Sequence, residues 1–251
     1  MLSRCFNNMI LLIFTFFVSV SKPAFATVSN GDFETGTLSG WGIFGDARVV
    51  GPAFGTGSGG AFSALITSHD VFSGSDFSLE LFLGLAPGTL DALVAATSPA
   101  LDGAFQGSVI RQTVTVAAGD TMSFDANFLT NEFVPSGFYN DAAFVTFDET
   151  ALLLNAGGTG SISASFVPSA SPFANETGFL HFSRTFHTAG THVLGFGVVD
   201  VGDEMFDSAL LIDNVRVTPG GIVVAEPVPA AVFGAGLVGL GLFRRSRSNA
   251  R

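Results

Sequence analysis

Four carboxylates fall within eight residues at Asp200, Asp203, Glu204 and Asp207, with Gly202 supplying a turn. Left unpaired they repel one another, and a divalent cation would relieve that repulsion. The spacing does not match an EF-hand loop, so solvated loop charge is the plainer reading. The segment from Asn131 to Asp141 offers different chemistry. Phe133, Phe138 and Tyr139 stand among Asn131, Glu132, Asn140 and Asp141. Such rings either give flat apolar faces to sugar C–H groups while the polar side chains take hydroxyls, or fold back as a lid on the core. The four histidines, His69, His181, His187 and His192, do not have the spacing of a zinc set and read as strand-surface residues. His181 and His187 are expected on one strand face. His187 and His192 flank Thr188-Ala189-Gly190 and are expected across a hairpin. No GxSxG, no Walker A and no nucleophilic cysteine is present, so the chain does not read as an enzyme.

Composition narrows the partners. The one cysteine, Cys5, and the one lysine, Lys22, both lie in the first 26 residues. Residues 27–218 therefore form no disulfide and offer no thiolate to a metal. They carry four arginines (Arg48, Arg111, Arg184, Arg216) against twenty Asp and Glu. A body this acidic does not suit nucleic acid, whose phosphates need basic partners. It attracts divalent cations and repels anionic lipid, and the charge also serves simply for solubility.

The elements that must position these groups are strands. VIRQTVTV (109–116) alternates, with Ile110, Gln112, Val114 and Val116 on one face; TMSFDANFL (121–129) places Met122, Phe124, Ala126 and Phe128 together. Residues 142–147, 161–167, 179–187, 192–199 and 209–217 continue the period-two pattern, separated by turns such as Ala117-Ala118-Gly119-Asp120. Short strands at this spacing predict an all-β sandwich. The stretch 70–99 is less regular and is expected to hold a short helix near Leu90 to Ala96. Trp41 is expected in the core.

Both ends carry addresses. Arg4, an apolar run from Met9 to Val20, and Ala24-Phe25-Ala26 form a signal peptide over residues 1–26, with cleavage before Thr27; an uncleaved N-terminal anchor is the alternative. After a stalk at 219–226 come Pro227-Val228-Pro229-Ala230, an apolar run from Ala230 to Phe243, and a basic end with Arg244, Arg245, Arg247 and Arg251. At about 1.5 Å per residue the run rises roughly 21 Å, short for a bilayer core of about 30 Å. A buried core helix is thus the competing reading. The arginines that follow fit a cytoplasmic stop. The order of parts in 227–251 resembles the PEP-CTERM sorting signals, in their VPLPA-type variant. That resemblance implies an exported bacterial protein, held briefly in the inner membrane by a transmembrane sorting helix (230–243). An exosortase-type enzyme would recognise the proline motif and release the body to the cell surface or an exopolysaccharide matrix.

The body, residues 27–218, carries a second resemblance. NGDFETGTLSGW (Asn30–Trp41) and, far downstream, SALLIDNVRV (Ser208–Val217) look like the first and last strands of jelly-roll carbohydrate-binding modules. The resemblance implies a jelly-roll-like β-sandwich. It also implies a structural calcium ion tying the first strand to the last, through Asp32, Glu34 and Asp213. Ordinary turn carboxylates are the alternative for these three. Two functions remain open: a structural component of an extracellular polysaccharide matrix, or a lectin-like glycan-binding module that contacts sugar through Phe133, Phe138 or Tyr139.

Overall fold

A computed structural model describes residues 27–55, 59–69, 74–95, 103–132, 141–154, 166–202 and 205–220. The expected leader (1–26), the expected sorting motif with its apolar run, and all of the expected stalk beyond residue 220 lie outside the described residues. Among those described, no helix is long and apolar enough to cross a membrane.

After a turn-rich start come β1 (Gly42–Phe44), β2 (Asp46–Val50), β3 (Ser63–Thr67) and the two-residue β4 (Gly74–Ser75). Two helices follow, α1 (Asp76–Leu83) and α2 (Thr89–Ala95). The long strands β5 (Ala104–Val116) and β6 (Thr121–Thr130) are next, then β7 (Ala142–Phe147) and β8 (Thr150–Leu153). Two short pairings, β9 (Val167–Pro168) and β10 (Asn175–Glu176), precede β11 (Leu180–Thr185), β12 (Gly190–Val201) and β13 (Ser208–Thr218).

These strands form two antiparallel sheets. One runs β1-β5-β12-β7-β8 with β4 beside β5; the other runs β2-β3-β13-β6-β10-β9 with β11 also on β6. The chain changes sheet between β5 and β6 and again between β12 and β13, so sequence neighbours face each other across the core. Period two then buries one face of each strand. Ile110, Val114 and Val116 of β5 meet Met122, Phe124, Ala126 and Phe128 of β6 in one apolar cluster with Phe196, Leu210 and Ile212. Phe124 and Phe196 touch edge to face across the two sheets, centroids 4.8 Å apart. Trp41 is buried there as expected, against Phe33 and Phe196.

Part of each outer face is covered as well. On the first sheet α1 and α2 lay Leu79, Leu83, Leu90 and Val94 over Val109, Phe144 and Val199. Leu83 rests directly on β12 because Gly195 has no side chain; a Cβ there would collide with it. Buried Glu80 of α1 holds the start of α2, accepting N–H bonds from Gly88 (2.9 Å) and Leu90 (2.8 Å). On the second sheet Leu65, Leu129 and Leu211 form a further cluster under Phe54, Phe173 and Phe179.

Helix α2 falls where one was expected; α1 was not anticipated. The expected hairpin around Thr188-Ala189-Gly190 is corrected. β11 pairs with β6, while β12 pairs with β5 and β7, so this turn crosses between sheets. His187 also lies beyond the end of β11 and shares no strand face with His181.

Candidate functional site

The first candidate lies where the last strand is irregular. β13 and β6 pair Asp213 with Asp125, then Arg216 with Ser123, so β13 carries one extra residue. Asn214 takes it up in the left-handed region (φ 52°), a β-bulge conformation that Asn tolerates. The Asn214 side chain donates to Asp125 Oδ2 (2.8 Å), and its backbone N–H donates to Asp213 Oδ1 (2.6 Å). Val215 N–H then reaches the Gly31 carbonyl (2.8 Å), which draws the Asn30–Gly36 turn against the bulge.

Asp32, Glu34 and Asp213 are thereby brought to one region. Asp213 is 1% exposed, and its Oδ2 is buried with no hydrogen-bond partner among the described residues. Burial pushes its carboxyl up to about 6; the neighbouring charges of Asp125, Glu34 and Asp32 add to the rise, against the bond from Asn214 N–H. An orphan buried oxygen within the electrostatic reach of three more carboxylates suits a hard cation in charge and donor type. Among the described residues, however, no three His, Cys, Asp or Glu side chains converge as a ready metal set. Glu34 Oε1 is turned to the N–H groups of Ala61 (2.8 Å) and Phe62 (3.0 Å), and Asp32 Oδ1 accepts Glu34 N–H at 3.4 Å. A cation here would use Asp213, with Asp32 and Glu34 turned from these bonds.

The acidic run at 200–207 is divided differently from its reading as loop charge. Asp200 is the penultimate residue of β12 and is buried near Asp141, itself near Glu132. Burial first, then Asp200 and Glu132, hold the Asp141 carboxyl well above the usual carboxylate range, against bonds from Ser208 and Val201. Asp207 instead pairs with His69 (3.3 Å). Asp203 and Glu204 lie outside the described residues. So do Phe133, Phe138, Tyr139 and Asn140 of the proposed contact loop. Its polar flanks are engaged: Asn131 Oδ1 accepts Ala174 N–H (3.0 Å), and Glu132 and Asp141 are buried.

His181 and His192 lie on strands as expected, but the sequence reading did not foresee their aspartate partners. Three of the four histidines sit against aspartates: His69 on Asp207, His181 Nδ1 on Asp125 Oδ1 (2.7 Å), and His192 Nδ1 on Asp148 Oδ2 (2.6 Å). The partners lie far apart in sequence and meet only through strand pairing and the sheet crossings. The one local signal was Asp148-Glu149, the turn between β7 and β8, where Asp148 is itself left-handed (φ 52°).

This last pair borders a cavity of about 410 Å³, a size typical of ligand pockets. It opens between the sheets, where β7 turns into β8 and β11 passes to β12. Phe147 and Phe186, each 5% exposed, form its apolar floor. Arg184, His187, Asp148 and His192 supply the polar wall. Phe186 is fixed by the β5–β6 turn, bonding Asp120 O through its N–H (2.8 Å) and Gly119 N–H through its carbonyl (2.7 Å). The Arg184 guanidinium lies 4.5 Å over the Phe147 ring. Asp148 Oδ1 takes Val193 N–H (2.8 Å), so both its oxygens hold β12. Burial would raise the Asp148 carboxyl, but His192, Val193 N–H and the Arg184 charge outweigh it and hold it below the usual value.

No family model matches the chain, and no curated protein matches it. Among solved structures the chain is similar to several carbohydrate-binding modules. One is TmCBM61, solved with beta-1,4-galactotriose: 12% identity, TM-score 0.37, over 76% of this chain and 95% of that one. A second is a family 16 carbohydrate-binding module (13%, TM-score 0.34, 76% and 98%). A third is the CBM22-1 xylan-binding domain from Paenibacillus barcinonensis Xyn10C (13%, TM-score 0.32, 76% and 92%). These likenesses are ones of outline, between β-sandwiches, and at such TM-scores they carry no argument about ligands.

Proposed function

We propose that this chain is an exported, non-catalytic, lectin-like module that binds extracellular polysaccharide. The observation that carries the reading is the cavity between the sheets. Buried Phe147 and Phe186 brace Arg184 and His192 from below, and the polar side chains of Arg184, His187 and His192 line the opening, where sugar hydroxyls can bond. Apolar clusters cover part of each outer sheet face. Calcium, bound through Asp213 with Asp32 and Glu34, would tie the first turn to the last strand. Phe133, Phe138 and Tyr139 would extend the sugar contact. The leader (1–26) and the sorting signal (Pro227-Val228-Pro229-Ala230, the 230–243 run, Arg244 and Arg245) would deliver the body through the inner membrane and an exosortase-type enzyme.

Affinity electrophoresis against a panel of soluble polysaccharides tests the reading. Retardation by at least one glycan, reduced by Phe186→Ala in a protein that still melts cooperatively, is the expected result. No retardation by any glycan leaves the matrix-scaffold reading in its place. For the address, the surface form should begin at Thr27, and loss of 227–251 should abolish display; an intact Met1 on the surface form overturns the leader.

A further inference from the structure

Resting on the glycan-binding reading, we infer that the cavity between β7, β11 and β12 takes an acidic sugar, with the Arg184 guanidinium holding a uronate carboxylate. Arginines are scarce in residues 27–218, and the ones near carboxylates or carbonyls are already committed. Arg48 pairs with Asp46 at 2.7 Å. Arg111 lies over the Phe82 ring and bonds the Phe82 carbonyl. Arg184 and Arg216 are both exposed and make no salt bridge with any described residue, and of the two Arg184 lines the cavity.

Asp148 does not neutralise it by contact. Its two oxygens accept from His192 Nδ1 and Val193 N–H, and it makes no salt bridge with Arg184. An ionised carboxylate only accepts, so His192 Nδ1 carries the hydrogen. That leaves His192 Nε2, which is buried with no hydrogen-bond partner among the described residues. The Phe147 ring beneath Arg184 restrains the guanidinium before any ligand arrives, so its planar fork is ready for two parallel bonds to a carboxylate. Thr188 adds a hydroxyl at the same wall.

The acidic body opposes this at long range, since it repels a polyanion. Salt screens that repulsion over about 8 Å at physiological ionic strength, while a contact bond inside the cavity is screened less. Binding of an acidic glycan should therefore strengthen between roughly 0.01 M and 0.15 M salt, where the screening length falls from about 30 to 8 Å.

Titration calorimetry of the full exported chain with oligogalacturonate and with its methyl ester tests the assignment. The two probes share a sugar backbone and differ in charge. The acid should bind about tenfold more tightly than the ester, the worth of one charged hydrogen-bond pair. Arg184→Gln should abolish that preference, so that acid and ester bind alike, in a protein that still melts cooperatively; Arg184→Lys, which keeps the charge but not the fork, should retain part of it. A sulfated galactan separates carboxylate from general anion recognition, and binding equal to the acid overturns the uronate assignment. Equal binding of acid and ester overturns it, as does a preference that survives Arg184→Gln. So does binding confined to neutral glycans, which leaves the glycan-binding reading standing. If no glycan binds at all, that reading fails along with this one.

Discussion

Asp213 and Asp125 are register partners on β13 and β6, two nearly buried carboxylates side by side on neighbouring strands. Such a pair is costly unless something neutralises it. Asn214 and His181 serve Asp125 at 2.8 and 2.7 Å, whereas Asp213 keeps one oxygen without a hydrogen-bond partner among the described residues. The arrangement gives a test in both pH and metal. Because the Asp213 carboxyl is raised to about 6 in the folded chain, the native state holds this proton more tightly than the unfolded chain does. Metal-free protein should then lose stability as pH rises from about 4 to about 6. At neutral pH calcium should restore it, by about 2.7 kcal/mol at a hundredfold excess over Kd. Melting curves in EDTA and in millimolar calcium across this range measure both effects. Asp213→Asn should flatten both, and Asp203→Ala should leave both largely intact. Identical wild-type melting in EDTA and calcium at neutral pH would remove calcium from the account.

Asp148→Ala should destabilise the protein by about 1–2 kcal/mol, since it strips Val193 N–H and His192 of their acceptor. The pH sign is opposite to that of Asp213. With the folded carboxyl held low, its contribution is present above the unfolded value and is lost as pH falls through the folded one. Urea midpoints of wild type and variant should converge in strong acid. A constant gap at every pH would show that packing, and not the ionised carboxylate, is responsible.

Glu80→Ala should cost about 2–3 kcal/mol, because two N–H groups at the start of α2 lose their charged acceptor in a buried site. Glu80→Gln should recover part of this by keeping one acceptor oxygen. Denaturant unfolding, with protection of Gly88 and Leu90 amides by hydrogen exchange, reads both. Unchanged protection in the alanine variant would count against the anchoring role.

Gly31→Ala should be far more damaging than Gly36→Ala. A Cβ at Gly31 would run into the Val215 carbonyl, a backbone atom in the joint between the first turn and the bulge. Gly36 has open space, and its positive φ (69°) alone makes alanine strained, at about 1 kcal/mol. A loss above about 2 kcal/mol is expected at Gly31. Equal losses at the two positions would mean that the close approach is not sterically critical.

The sandwich was legible where one strand face is apolar and the other polar. β5, β6, β7, β12 and β13 all fall where period two placed them, with Ile110, Gln112, Val114 and Val116 turned inward together. The early strands were not legible. β3 is buried at every position and shows no alternation, while β1 and β2 are separated by left-handed Gly45 (φ 88°). Helix α1 was hidden because its run DFSLELFL is apolar without being strongly one-sided, and only the facing sheet decides which residues it buries.

Local chemistry in the chain therefore determined the strand periodicity and the acidic body poor in arginine. The tertiary structure alone decided which distant groups share a site. The bulge at Asn214 sets Asp125 beside Asp213, and the crossing from β11 to β12 sets Arg184 of one sheet near His192 and Asp148 of the other. The reason is that periodicity specifies which face a side chain takes, while its neighbour on that face comes from strand order and register. Those are fixed by packing summed over both sheets, which no local stretch of sequence contains.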